Sequence, residues 1–125
     1  MSFFVLLAGC STGVERDFIL NGKNEKTLRE SYFFIFENMP KEKANEFSFA
    51  YTGVIEYFMR KDELDVSDGM IITSEALKTL DNKTPDEVIE IDRKLIELSK
   101  QEFYKKAIKE KEKFDTREAS KRVNP

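Results

Sequence analysis

The sequence predicts an all-α fold, a small helical bundle made of an αα-hairpin and a long C-terminal helix. Three observations point there. Apolar residues recur at helical steps through residues 28–58 and again through 88–98. Gly and Pro are scarce, five and three in 125 residues, too few for the turn-dense composition of a sandwich or barrel. A capping sequence, Thr84-Pro85-Asp86-Glu87, marks the start of the last helical stretch.

In chain order, Val14 to Leu20 is too short and mixed to assign, and Asn21-Gly22-Lys23-Asn24 is a turn signal. The first helix is expected to begin near Glu25 or Thr27, with Leu28, Tyr32, Ile35, Phe36 and Met39 as its apolar stripe. Pro40 ends it and is expected in the first turn of the next helix. That second helix is predicted over about Lys41 to Arg60, with Phe47, Ala50, Tyr51, Val54, Ile55 and Phe58 along one face. Gly53 within it costs about 1 kcal/mol relative to Ala and points to close contact with a neighbour.

Arg60 to Gly69 reads as a polar connection, and Met70-Ile71-Ile72 as an extended lead-in to a short helix over Ser74 to Leu80. Ala76, Leu77 and Leu80 of that helix are expected to face inward. In the last helix, Thr84 is the expected cap, Pro85 sits at the first helical position, and Glu87 places negative charge at the positive end of the dipole. Val88, Ile91, Leu95 and Leu98 continue its apolar spacing, with Ile89, Ile96 and Phe103 alongside, as far as Phe103 or Ile108. Beyond that point charges fall on every face, only Phe114 is large enough to bury, and pairs such as Glu102–Lys106 and Glu118–Arg122 are expected to support the helix.

The chain is the length of one domain, with 40% hydrophobic and 36% charged residues. Eleven Phe and four Tyr with no Trp imply a phenylalanine-rich core. A net charge of −3 gives no reason to expect nucleic acid as a partner, because phosphate binding draws on clustered Lys and Arg. The charge is uneven: residues 99–125 hold nine Lys or Arg against five Asp or Glu. A basic end therefore follows an acidic body, and such a run is more often a solvated helix end than a site for anionic headgroups.

The N-terminus reads MSFFVLLAGC, an unbroken apolar run from Phe3 to Ala8 followed by Gly9 and Cys10. The run is much too short for a transmembrane helix, which needs about 20 apolar residues. It fits the apolar region of a secretory signal with small residues at a cleavage site. Leu7-Ala8-Gly9-Cys10 resembles the lipobox of bacterial lipoproteins. The resemblance implies lipid attachment at Cys10 and signal cleavage between Gly9 and Cys10, with the membrane as partner through the acyl chains. Residue chemistry agrees, since a thiolate is the nucleophile that thioether formation needs. Attached chains contribute about 0.8 kcal/mol per buried CH₂, so more than one gives durable anchoring. No Lys or Arg precedes the apolar run, a feature that an upstream start would supply. The expected organisation is a signal peptide over 1–9, a lipid anchor and tether over 10–24, a helical domain over 25–108, and a charged helix end over 109–125. Ser11, where an inner-membrane-retained lipoprotein tends to carry Asp, implies an outer-membrane protein facing the periplasm.

Catalytic patterns are sparse. Without His there is no Ser-His-Asp or Cys-His arrangement, and no Gly-rich phosphate loop is present. If Gly69 of the acidic stretch Asp62–Gly69 is set at the glycine position of an EF-hand, two ligand positions fall on Leu64 and Val66. Calcium is therefore not expected, and no catalytic, cofactor-binding or metal residue is assigned. Tyr32, Phe33, Phe36, Phe47, Tyr51 and Phe58 are the residues that would line an apolar pocket, although aromatic residues at this spacing more often form core.

With Leu28-Arg29-Glu30-Ser31, Met39-Pro40 leading to Asn45-Glu46-Phe47, and Leu80 to Ile89, the body resembles a family of small proteobacterial lipoproteins of unknown function. The resemblance covers roughly residues 17–98 and implies no activity; the charged extension after Leu98 lies outside it. The expected function is a non-enzymatic lipoprotein whose helical body binds an envelope protein or acts as an exclusion or immunity factor. The alternatives are a carrier or sensor of an apolar ligand, and a cytoplasmic helical interaction protein in which the lipobox is accidental.

Overall fold

The computed structural model describes residues 18–123, with the side chains of residues 68, 122 and 123 left aside. Gly9, Cys10 and most of the expected tether lie outside the described residues. Four α-helices are described: α1 (Glu25–Asn38), α2 (Lys41–Lys61), α3 (Ser74–Leu80) and α4 (Pro85–Val123), with one 3₁₀ turn at Val66–Asp68. The chain divides into two compact units, one ending at Arg93 and the other beginning at Lys94.

In the first unit, α1 starts where Asn24 accepts a hydrogen bond from the Thr27 N–H at 2.9 Å and Thr27 Oγ1 accepts one from the Asn24 N–H. This reciprocal cap satisfies two backbone donors that a helix start otherwise leaves orphaned. Leu28 and Ile35 of the expected stripe are buried, while Tyr32, Phe36 and Met39 are half-buried. Pro40 is the N-cap of α2 and not its first helical residue, a one-position shift from expectation. Along α2, all six residues of the expected face are buried, and Ala44, Tyr57 and Met59 join them. α2 is thus the central helix, and it packs against both α1 and α3.

The end of α2 is closed by two backbone bonds, Glu63 N–H to the Arg60 carbonyl at 3.0 Å and Leu64 N–H to the Met59 carbonyl at 2.8 Å. Glu63 takes the left-handed conformation (φ 59°) that this helix stop requires, a place more often given to Gly. Ile72 is buried, whereas Met70 and Ile71 of the lead-in are exposed. In α3, Ala76 and Leu80 are buried and Leu77 is half-buried.

Phe18 and Leu20, unassigned from sequence, belong to the core. Leu20 donates to the Lys83 carbonyl (3.0 Å) and accepts from the Asn82 N–H (2.9 Å), tying the segment before α1 to the turn before α4. Gly22 completes that junction. Its N–H donates to Asp81 Oδ1 at 2.8 Å, and a Cβ on it would lie 2.4 Å from the Leu77 carbonyl oxygen.

The α4 capping box is present: the Thr84 N–H donates to Glu87 Oε1 at 3.0 Å, and Thr84 Oγ1 accepts from the Glu87 N–H at 3.3 Å. Lys43 of α2 pairs with Asp86 of α4. Val88 is fully buried. The expected inward stripe stops short of prediction, however. Ile89, Ile91 and Leu95 are half-buried, and Ile96, Leu98, Phe103 and Ile108 are exposed. Periodicity reports which side chains share a helix face; whether anything covers that face depends on what else the chain supplies.

The second unit, from Lys94, contains one helical segment and no buried described side chain. Lys100 pairs with Glu97 at 3.5 Å, and Lys121 with Glu118 at 3.7 Å.

Candidate functional site

The residues expected to carry the anchor chemistry, Gly9 and Cys10, lie outside the described residues. The described body carries an aromatic cluster, dispersed acidic groups and exposed apolar surface.

The aromatic cluster lies between α1 and α2. Tyr32 stacks on Tyr51 with ring centroids 4.0 Å apart, and it also meets Phe47 at 5.4 Å, Phe36 at 5.9 Å and the edge of Phe33 at 5.3 Å. Its hydroxyl donates to Ser48 Oγ at 2.7 Å. Five of the six candidate pocket residues therefore come together as rings packed on one another, the core arrangement that their spacing favours. Phe58 stands apart, edge-on to Tyr57 at 5.2 Å. Such contacts contribute about 0.5–1.5 kcal/mol per pair beyond burial and hold the hairpin together. Burial pushes the Tyr51 hydroxyl up to about 12, against the pull of the Arg29 guanidinium. Ser48 escaped the sequence reading because a serine beside an apolar stripe carries no signal until its partner ring is placed.

Acidic groups are dispersed. Asp65 accepts from both the Ser67 hydroxyl (2.7 Å) and the Ser67 N–H (2.9 Å), and these bonds hold its carboxyl below the usual range. Its oxygens serve the 3₁₀ turn. Asp92 of α4 lies against Gly53 of α2, where partial burial raises its carboxyl above the ordinary value. Among the described residues, no three His, Cys, Asp or Glu side chains converge in a way that would hold a metal ion.

Exposed apolar surface is present in both units. In the first, Phe33, Phe34 and Phe49 are exposed, and the Phe34 ring is edge-on to Phe18 at 6.2 Å. In the second, Ile96, Leu98, Phe103, Tyr104, Ile108 and Phe114 are exposed on one helix. A depression lined by Lys109, Glu112, Lys113, Thr116 and Arg117 is also bounded by that single helix. Among the described residues, no helix is long and apolar enough to cross a membrane. Comparison with protein-family models, with curated proteins and with solved structures finds no match to this chain.

Proposed function

We propose that this chain is a lipid-anchored protein of the bacterial cell envelope, whose helical body acts by binding another protein. The observation that carries the anchor is the run Phe3 to Ala8, then Gly9 and Cys10, then polar Ser11-Thr12-Gly13. It joins an apolar segment, a small residue at the scissile bond and the one thiol of the chain in the order that lipid transfer followed by cleavage requires. Acyl chains on Cys10 would hold the protein to the membrane, and Ser11 favours the outer membrane, facing the periplasm. Protein binding draws on the exposed Phe33, Phe34, Phe49, Phe103 and Phe114 side chains, because apolar side chains that form a contiguous exposed patch mark interaction surfaces. An exclusion or immunity role at the membrane is the finer form of this reading.

Intact mass and membrane fractionation, on protein expressed from its natural upstream region, test the anchor. The wild-type chain is expected to begin at Cys10, carry acyl mass and sediment with membranes, while Cys10→Ser remains unprocessed. An unmodified soluble chain that retains Met1 would overturn it. Crosslinking in intact envelopes then tests the body, and recovery of no partner would count against protein binding.

A further inference from the structure

Within the second unit, Ile96, Phe103, Ala107 and Phe114 follow one another at steps of seven, four and seven. At about 3.6 residues per turn these side chains fall within roughly 20° of a single line along α4. All are exposed, Phe103 at 70% and Phe114 at 61%. The spacing is an 11-residue period, the pattern of helices that pair with little supercoiling and a slight right-handed twist. Leu98, Tyr104 and Ile108, also exposed on this helix, lie off the line.

We propose that this stripe is the contact face of a parallel, in-register homodimer, its occupant being the same stripe of a second copy of this chain. The charges beside the stripe choose that occupant. Glu110 lies on one flank and Lys111 on the other at the same level; one turn beyond Phe114, Arg117 and Glu118 lie on opposite flanks in the same manner. In a parallel pair, each flank faces the opposite flank of the mate at equal height. Glu110 then meets Lys111 of the second copy, and Arg117 meets Glu118 of the second copy, each contact occurring twice by symmetry. Glu118 already meets Lys121 of its own helix at 3.7 Å, so the added Arg117 completes a three-charge network.

Over residues 96–114 the antiparallel alternative does worse. Aligning Ile96 with Phe114 of the mate brings like flanks together. Lys100 then faces Lys111 of the second copy, and Lys106 faces its own counterpart. Charges arranged to satisfy their own copies are what an isologous contact requires, and an unrelated partner would impose no such pattern. The apolar area is modest. Two Phe and one Ile per chain supply a few hundred Å², well under the ~800 Å² per partner of a stable complex, so micromolar dissociation is expected. The inference does not depend on lipid at Cys10.

Sedimentation equilibrium of the full chain carrying Cys10→Ser, across a micromolar range, tests it. A reversible monomer–dimer equilibrium is expected, and the Phe103→Glu/Phe114→Glu variant should be monomeric with its helical circular dichroism intact. Lys111→Glu should weaken the dimer by roughly fivefold, and Glu110→Lys/Lys111→Glu should restore it. Lys111→Glu is a surface change, so it remains decisive even if the double Phe variant loses helix. A chain that stays monomeric throughout, a dimer indifferent to Phe103 and Phe114, or a dimer tightened by Lys111→Glu would overturn the proposal. The last result would mark an antiparallel pair.

Discussion

Phe47 and Phe103 are the same residue on helices of the same chain, and they live under opposite physics. Phe47 is fully buried on α2, against Tyr32 and Tyr51; Phe103 is largely exposed on a helical segment with no buried neighbour. The first unit has a core, so its helices are held by tertiary packing. The second is one stretch of helix, held by its backbone ladder and by near-neighbour charge pairs worth a few tenths of a kcal/mol each. The difference teaches that a helical period in sequence carries two separate messages, a shared face and a covering surface. Only the first can be read locally.

The largest expected effect tests this contrast directly. Phe47→Ala should destabilise the fold by about 3–5 kcal/mol, the usual range for emptying a fully buried phenylalanine site. Phe103→Ala should leave the denaturant midpoint of the first unit within about 0.5 kcal/mol of wild type. Urea unfolding followed by tyrosine fluorescence measures both. Equal losses would mean that Phe103 is packed in solution as Phe47 is, and the contrast would collapse.

The same division explains what could be read before the structure was known. The hairpin of α1 and α2 was legible because its signals are local: steps of three and four ending in Pro40 at one junction, and polar residues after Arg60 at the other. The start of α4 was legible for the same reason, since Thr84 and Glu87 are three residues apart and satisfy each other. The tie between Leu20 and the 82–83 turn was not legible. It joins backbone groups about sixty residues apart, and backbone hydrogen bonds leave no mark on side-chain pattern. Of the candidate site, the ring set of Tyr32, Phe33, Phe36, Phe47 and Tyr51 and its preference for core over pocket followed from spacing, but the ring-to-ring geometry did not. Whether rings enclose a space or fill it depends on centroid distances, not on order along the chain. Gly9 and Cys10 were read from processing chemistry, a kind of signal that owes nothing to the fold.

Gly22 sharpens the contrast from the side of close approach. A Cβ there would meet the backbone of α3 and Asp81, with Leu77 O at 2.4 Å and Asp81 Cα at 2.9 Å. Backbone cannot swing aside as a side-chain end can. Gly22→Ala should therefore cost about 2–3 kcal/mol by overpacking, and it should also raise amide exchange at Asn82, which donates to Leu20. An unchanged melting temperature would show that the junction yields more readily than its contacts imply.

Next in size is the response of the aromatic cluster to alkali. The Tyr51 hydroxyl titrates near 12 in the fold against 10.0 ordinarily, because burial disfavours the phenolate. Its folded value is the raised one. The unfolded chain therefore releases this proton first, and the stability held below pH 10 is lost as pH climbs towards 12. A decline of about 1–2 kcal/mol by the upper end is expected from a shift of this size. In Tyr51→Phe the decline should flatten, as followed by denaturant midpoints at stepped pH. An identical decline in the variant would assign the alkaline sensitivity to other groups.

The smallest effect is the most instructive, because two opposing terms meet at one atom. Gly53 sits inside α2, where Ala would be favoured by about 1 kcal/mol on helix propensity alone. Its missing Cβ is occupied by the Asp92 carboxylate of α4, whose Oδ1 would lie 2.3 Å from an added methyl carbon and whose Cγ would lie 3.1 Å away. Gly53→Ala alone should forfeit the propensity gain, since the Asp92 carboxylate must first turn out of the place the methyl would take. Asp92→Ala alone should be slightly stabilising at neutral pH. Burial raises the carboxyl above its ordinary 3.8, so the charged form is the penalised one, and the benefit should fade as acid protonates the wild type. With both changes the collision is gone and the propensity term is released. The double variant should then exceed the sum of the single effects by about 1 kcal/mol in a mutant cycle, the coupling expected of residues in contact. Strict additivity would mean that Gly53 and Asp92 do not touch in solution, and that the Lys43–Asp86 pair joins the start of α4 to α2 without them.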